Sequence, residues 1–246
     1  MSTTDTTTSR TALVFGGSRG IGAAAVARLA ADGYAVAFTY LSRDDRAREL
    51  VTEVEAAGGR ALALRSDSAD ADAIRGAVDR AVQELGPLNV VVVNAGLLRT
   101  GTVESVSLAD LDAMIDVNVR GVFLSIQATV PHLVDNARVI TIGSNVALRT
   151  GTAGASVYQL TKTAVAGMVK GIALDLAPRS ITVNNIQPGP TDTDMNAGAI
   201  DALAAASPLR RVGRPAEIAG LVSYLAGPDS RYVTGASITI DGGSTL

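Results

Sequence analysis

The chain has 246 residues, 47% of them hydrophobic and 18% charged, with a net charge of −3, no cysteine and a single histidine. This balance fits a globular chain with a large sheet core and argues against disorder, a disulfide framework, a thiolate metal site or a cysteine nucleophile; no metal is expected. Without a basic field or a run of 18 apolar residues, neither nucleic acid nor membrane is an expected partner.

The opening "MSTTDTTTSR" is polar and lacks the apolar stretch of a secretory signal, so residues 1–10 read as a flexible tail and a cytoplasmic location is expected. "TALVF" predicts a strand, "GIGAAAVARLAADG" a helix and "YAVAFTY" a second strand. "ELVTEVEAAGG" looks helical, "RALALRSD" extended, "ADAIRGAVDRAVQELG" helical, and "LNVVVVNAG" a short buried strand. Residues 107–134 give helical material, "ARVITIGS" a fifth strand, 156–177 a helix that Pro178 should stop, and "SITVNNIQPGP" a sixth strand. A helix near 214–226 and the strand "ASITIDGG" complete the pattern. Such alternation predicts an α/β fold, a doubly wound parallel sheet of about seven strands with helices on both faces, in one domain over residues 11–246. The stretch at about 188–213, rich in Pro, Gly, Thr, Asp and Ala, is expected to be a mobile loop or substrate lid.

The first strand runs into "GGSRGIG", where Gly16, Gly20 and Gly22 allow a tight turn and close backbone approach at a helix N-terminus. This is either a dinucleotide turn or an ordinary strand-to-helix turn, since the spacing differs from the G-x-G-x-x-G fingerprint. At the end of the second strand, where a ribose-binding carboxylate would favour NAD, the chain has Thr39, Tyr40, Leu41, Ser42 and Arg43. With Arg19 in the glycine turn, two guanidinium groups and a hydroxyl could hold a 2′-phosphate, which favours NADP(H). Asp44 and Asp45 keep NAD(H) possible, and solvated arginines are the plainer alternative.

Tyr158 and Lys162 lie four apart on the helix 156–177 and share one face. An ammonium about 4 Å from the phenol would favour phenolate by at most about 4 kcal/mol, roughly three pKa units, with desolvation opposing it. The pair is either an acid–base device or a packed tyrosine beside a snorkelling lysine. Ser144 after the fifth strand and Asn118 in a helix favour the device, because both fall where open α/β sheets bind ligands.

In these features the chain resembles the short-chain dehydrogenase/reductase family from residue 11 to 246. The resemblance rests on "GGSRGIG", "DSAD" around Asp67, "NAG" at 94–96, Asn118, Ser144, Tyr158 with Lys162, "QPGP" at 187–190 and "VTGASITIDGG". It implies a Rossmann domain, a nicotinamide cofactor and hydride transfer between a carbonyl and an alcohol, with a ketone or 3-oxoacyl thioester as substrate. Tyr158 would exchange the proton, Ser144 hydrogen-bond the substrate oxygen, and Lys162 lower the tyrosine pKa and hold the nicotinamide ribose. Asn118 would anchor a water in the proton relay.

The same resemblance implies cofactor contacts at Gly16, Ser18, Arg19, Gly20, Ile21, Gly22, Tyr40, Ser42, Arg43, Asp67, Ser68, Asn94, Ala95, Gly96, Pro188, Gly189 and Thr191, besides Tyr158 and Lys162. Phe15 departs from the family, which often has threonine there, and puts one turn hydrogen bond in doubt. Leu97, Val146, Leu148 and Met195, with Ser144 and Tyr158, are the expected substrate walls; Arg99 and Arg149 read as rim charges and His132 as a surface or helix-end residue. A homotetramer is the implied assembly. "FTY", "DSAD", "QPGP" and "DTD" also resemble a family member associated with cyclic di-GMP, so a regulatory binding protein on the same scaffold is the second reading.

Overall fold

The computed structural model describes residues 10–246. Seven strands, β1 (Arg10–Phe15), β2 (Tyr34–Tyr40), β3 (Arg60–Arg65), β4 (Leu88–Val93), β5 (Leu133–Ile142), β6 (Thr182–Pro188) and β7 (Ser237–Ile240), form one sheet in the order β3-β2-β1-β4-β5-β6-β7. Every adjacent pair is parallel. Parallel strands are covered on both faces, which is why Val90–Val93 can be an unbroken apolar run: all four are buried. Each such side chain contributes roughly 1.5–3 kcal/mol by leaving water.

The helices α1 (Gly20–Ala31), α2 (Asp44–Ala56), α3 (Ala71–Leu85), α4 (Leu108–Ile115), α5 (Gly121–Thr129), α6 (Ser156–Leu176), α7 (Ile200–Ala206) and α8 (Pro215–Ala226) divide between the faces. Residues of α1, α2 and α8 close one core around Val14, Val36 and Phe38. Those of α3, α5 and α6 close the other around Leu13, Val91 and Val183. Local chemistry sets several boundaries. The Asp70 carboxylate accepts from the Asp72 and Ala73 amides to start α3, and Pro215 with Glu217, whose carboxylate accepts from the Arg214 amide, starts α8.

The expected elements stand where the sequence placed them, with four differences. Arg10 already belongs to β1, so the expected tail retreats to residues 1–9, outside the described residues. Helix α2 starts at Asp44, ahead of its apolar periodicity, because Asp44 and Asp45 favour a helix N-terminus. The helical stretch 107–134 is interrupted by a π turn at Asp116–Arg120, and it gives way to β5 at Leu133. The lid segment carries α7, since "IDALAAA" is a run of helix formers without glycine or proline. After Leu176 a short 3-10 turn containing Pro178 ends α6.

Candidate active site

The strand order reverses between β1 and β4, and the loops at their carboxyl ends meet there. Gly16 and Gly20 have φ of +75° and +54°, a conformation that glycine adopts without strain. A side chain on Gly22 would collide with the Gly16 carbonyl and stand 2.6 Å from the Asn94 amide nitrogen. Asn94 in turn donates to the Gly16 carbonyl at 2.6 Å. The Gly16 amide donates to Thr39 Oγ1 at 2.9 Å, while Phe15 is fully buried, so β2 supplies the turn bond that the departure at Phe15 put in doubt. Helix α1 begins here with no side-chain cap and no acid in its first turn. Its first amides are therefore suited to an external anion, which fits a pyrophosphate.

Ser18 and Ile21 belong to the same turn, Ala95 packs against Gly16, a side chain on Gly96 would come within 3.6 Å of Asn118 Oδ1 and Lys162 Nζ, and Asp67 folds its own loop by accepting from the Ala69 amide at 2.9 Å. The Ser68 carbonyl lies against Gly121, where a side chain would collide with it. At the end of β2, Tyr40 donates to Asp44 Oδ1 at 2.7 Å, and Arg43 is held by Asp45 through bonds of 3.1 and 2.9 Å. Arg19 approaches Asp194 at 3.4 Å. Both expected phosphate-binding arginines thus face carboxylates, which sequence spacing did not show. Ser42 is exposed beside them.

Ser144 ends β5's loop and is nearly buried; its Oγ accepts from the Val146 amide at 3.3 Å. Tyr158 lies two residues into α6, where the Ser144 hydroxyl acts on its phenol, and Lys162 Nζ stands 5.7 Å from the Tyr158 ring centre. Lys162 is only 4% exposed, and its ammonium donates to the Ile142 carbonyl at 3.0 Å. The expected lowering of the tyrosine by the lysine does not appear. Burial pushes the Tyr158 phenol up to about 12 against the opposing Ser144 bond, and burial pushes Lys162 down to about 8. Desolvation is the leading cause of both shifts.

Asn118 lies fully buried in the π turn, and its side chain binds protein groups. Oδ1 accepts from the Leu97 amide at 2.7 Å, and Nδ2 donates to the Leu97 carbonyl at 2.7 Å and to Thr161 Oγ1 at 3.2 Å. Thr161, which precedes Lys162, is thereby a supporting residue that sequence reasoning missed. So are Thr39, a polar residue at the end of an apolar strand, and Asp241. The Asp241 carboxylate accepts from the Asn145 amide group at 3.3 Å, beside Ser144, and Gly189 packs against it so closely that no side chain would fit. Arg149 donates to the Leu246 carbonyl at 2.7 Å. Residues 241–246 thus form a hook that braces the serine loop.

Pro188 is the last residue of β6, Thr191 is buried with its hydroxyl on the Gly189 carbonyl at 2.9 Å, and Asn196 Nδ2 donates to the Thr191 carbonyl at 2.8 Å within the segment 188–213. Of the expected substrate walls, Leu97 and Val146 are half-buried at the cleft, whereas Leu148 and Met195 are more than half exposed. Arg99 sits 3.6 Å from Asp110 and His132 sits 3.7 Å from Asp79, both away from the catalytic groups. A cavity of about 340 Å³ lies at the opposite ends of the strands, between Arg10, Tyr34 and Ser223. Its Asp32 carboxylate is held by Arg28 and by the Ser223 hydroxyl.

Fold and site together define a doubly wound dinucleotide-type domain with a serine, tyrosine and lysine gathered at its switch point. A family model described as Enoyl-(Acyl carrier protein) reductase matches residues 16–245. A short-chain dehydrogenase/reductase from Serratia marcescens BCRC 10948 is 51% identical, covering 96% of this chain and 98% of its own, with a TM-score of 0.94. A short chain dehydrogenase from Burkholderia cenocepacia J2315 in complex with NADP is 45% identical over 96% and 98% of the two chains, with a TM-score of 0.93. The cyclic-di-GMP-binding biofilm dispersal mediator protein of Escherichia coli K12 is 40% identical, covering 96% of this chain and 97% of its own. The chain belongs to the short-chain dehydrogenase/reductase family. Among the described residues no helix is long and apolar enough to cross a membrane, and no cluster of metal-binding side chains occurs.

Proposed function

We propose that residues 11–246 act as one domain, an NADPH-dependent reductase of a ketone or 3-oxoacyl group, working as a homotetramer. The observation that carries this reading is Tyr158 set over the buried Lys162 ammonium, 5.7 Å from the tyrosine ring centre, with Ser144 at the end of the neighbouring strand. Two hydroxyls converging beside a cation suit an oxygen that gains negative charge, as a carbonyl oxygen does on reduction. The Burkholderia relative's NADP complex and the arginines at 19 and 43 support the phosphorylated cofactor.

When bound, the nicotinamide supplies the hydride. Tyr158, with a pKa near 12, is protonated at neutral pH and donates its proton to the substrate oxygen. Ser144 donates a hydrogen bond to that oxygen, and Lys162, near 8 and mostly charged at pH 7, offsets the phenolate left behind. Asn118 fixes Leu97 at the cleft floor, and the amides at the start of α1 hold the pyrophosphate.

Initial rates with ketones, 3-oxoacyl thioesters, imines and alcohols, each with both cofactors, test the reading. NADPH oxidation dependent on a carbonyl substrate is expected; NADH turned over at least as well, with Arg43→Ala leaving NADPH affinity intact, would defeat the cofactor assignment. The likeness to the cyclic-di-GMP-binding relative supports a second reading, a regulatory binding protein. Calorimetry with cyclic di-GMP separates the two: binding without any carbonyl turnover would select the second.

A further inference from the structure

Two charged side chains meet across the mouth of the cofactor cleft. Arg19 Nη1, beside the glycine turn, lies 3.4 Å from Asp194 Oδ2 in the lid. The lid also rests on the turn itself, because a side chain on Gly20 would come within 3.1 Å of the Thr193 methyl group. On the neighbouring wall Arg43 is gripped bidentately by Asp45, and the Asp194 charge acts on it as well. The two guanidinium groups assigned to the ribose 2′-phosphate therefore already face carboxylates, and one of these belongs to the segment 188–213 rather than to the strand-end loop.

We propose that Asp194 is an internal competitor of the cofactor 2′-phosphate for Arg19 and so helps to set the preference between NADPH and NADH. This rests on the NADP(H) reading above. A 2′-phosphate carries about −1.5 to −2 charges at neutral pH and takes the guanidinium from a single carboxylate. The ribose hydroxyl of NADH carries no charge and leaves the Arg19–Asp194 pair in place. Phosphate binding consequently releases Asp194 from Arg19, whereas NADH binds with that pair intact. Both Arg19 and Asp194 are mainly exposed, which keeps the competition modest and sensitive to salt.

Fluorescence titration of NADPH and NADH against the wild type, Asp194→Asn, Arg19→Ala and the double variant tests this. Asp194→Asn is expected to tighten NADPH about two- to five-fold and to leave NADH unchanged, with the gain absent on the Arg19→Ala background and at about 1 M salt. Equal tightening of both cofactors, or none, overturns the competitor role. If Arg19→Ala weakens NADPH relative to NADH while Asp194→Asn changes nothing, only the present inference falls. If Arg19→Ala leaves the ratio of the two affinities unchanged, the phosphate site itself is misassigned and the inference falls with it.

Discussion

Tyr158 and Lys162 are close enough to act together and too deeply placed to be at ease. Replacing Tyr158 with Phe removes the proton donor but keeps the ring, so turnover should fall about 10²- to 10⁴-fold with cofactor affinity unchanged, as steady-state rates and cofactor titration would show. Lys162 bears on stability. It titrates near 10.5 when unfolded and near 8 in the fold, so the unfolded chain holds the extra proton between those values and stability rises with pH across that window. Below pH 8 the full penalty stands, about 3 kcal/mol, partly offset by the Ile142 bond. Lys162→Met should thus raise the melting temperature of the cofactor-free protein at pH 7 by roughly 4–8 °C, abolish turnover, and flatten the rise from pH 8 to 10. The pairing was legible from a four-residue spacing. The direction of the tyrosine shift was not, because spacing reports neighbours and says nothing of burial.

Among the elements, the π turn between α4 and α5 matters most to the site. It aims the Asn118 side chain at the end of β4, where one amide group satisfies both backbone groups of Leu97. Asn118→Ala should leave these unpaired at about 1–3 kcal/mol each, read as a lower melting temperature and weaker substrate binding. Asn118→Asp keeps the acceptor and loses the donor, and an intermediate loss is expected. Helical periodicity found α4 and α5 as one stretch but passed over the turn, since a single extra residue barely disturbs an apolar pattern. The lid misled differently. Its flanking prolines and glycines read as irregular chain, while α7 is held by seven ordinary helix formers between them. Asp194 escaped for a further reason: its partner Arg19 lies 175 positions away.

For the whole molecule, a parallel sheet of about seven strands with helices on both faces followed from alternation and apolar runs, whereas the strand order and the outer surface needed coordinates. Gly167 and Gly171 lie inside α6, exposed, with nothing within 4 Å of the position a side chain would take. Interior helix glycines cost roughly 0.5–1 kcal/mol each, and among the described residues no neighbour fills the space beside these two. Leu160 and Leu174 flank them at 55% and 78% exposure, with Phe123 on α5 at 45%. Such a face suits a second copy pressed closely against α6, in keeping with the proposed tetramer. Gly167→Arg should therefore leave the melting transition of the single chain intact and yield smaller particles in light scattering; an undiminished mass would place the interface elsewhere. The hook formed by residues 241–246 adds a consequence in time. Asn145 waits 96 residues for Asp241, about 5–20 s of synthesis at ordinary ribosomal speed. During that interval the emerging chain already carries Ser144, Tyr158 and Lys162 but lacks the strut beside the serine. Competence for catalysis should thus arrive late and abruptly, after most of the sheet has had the chance to form.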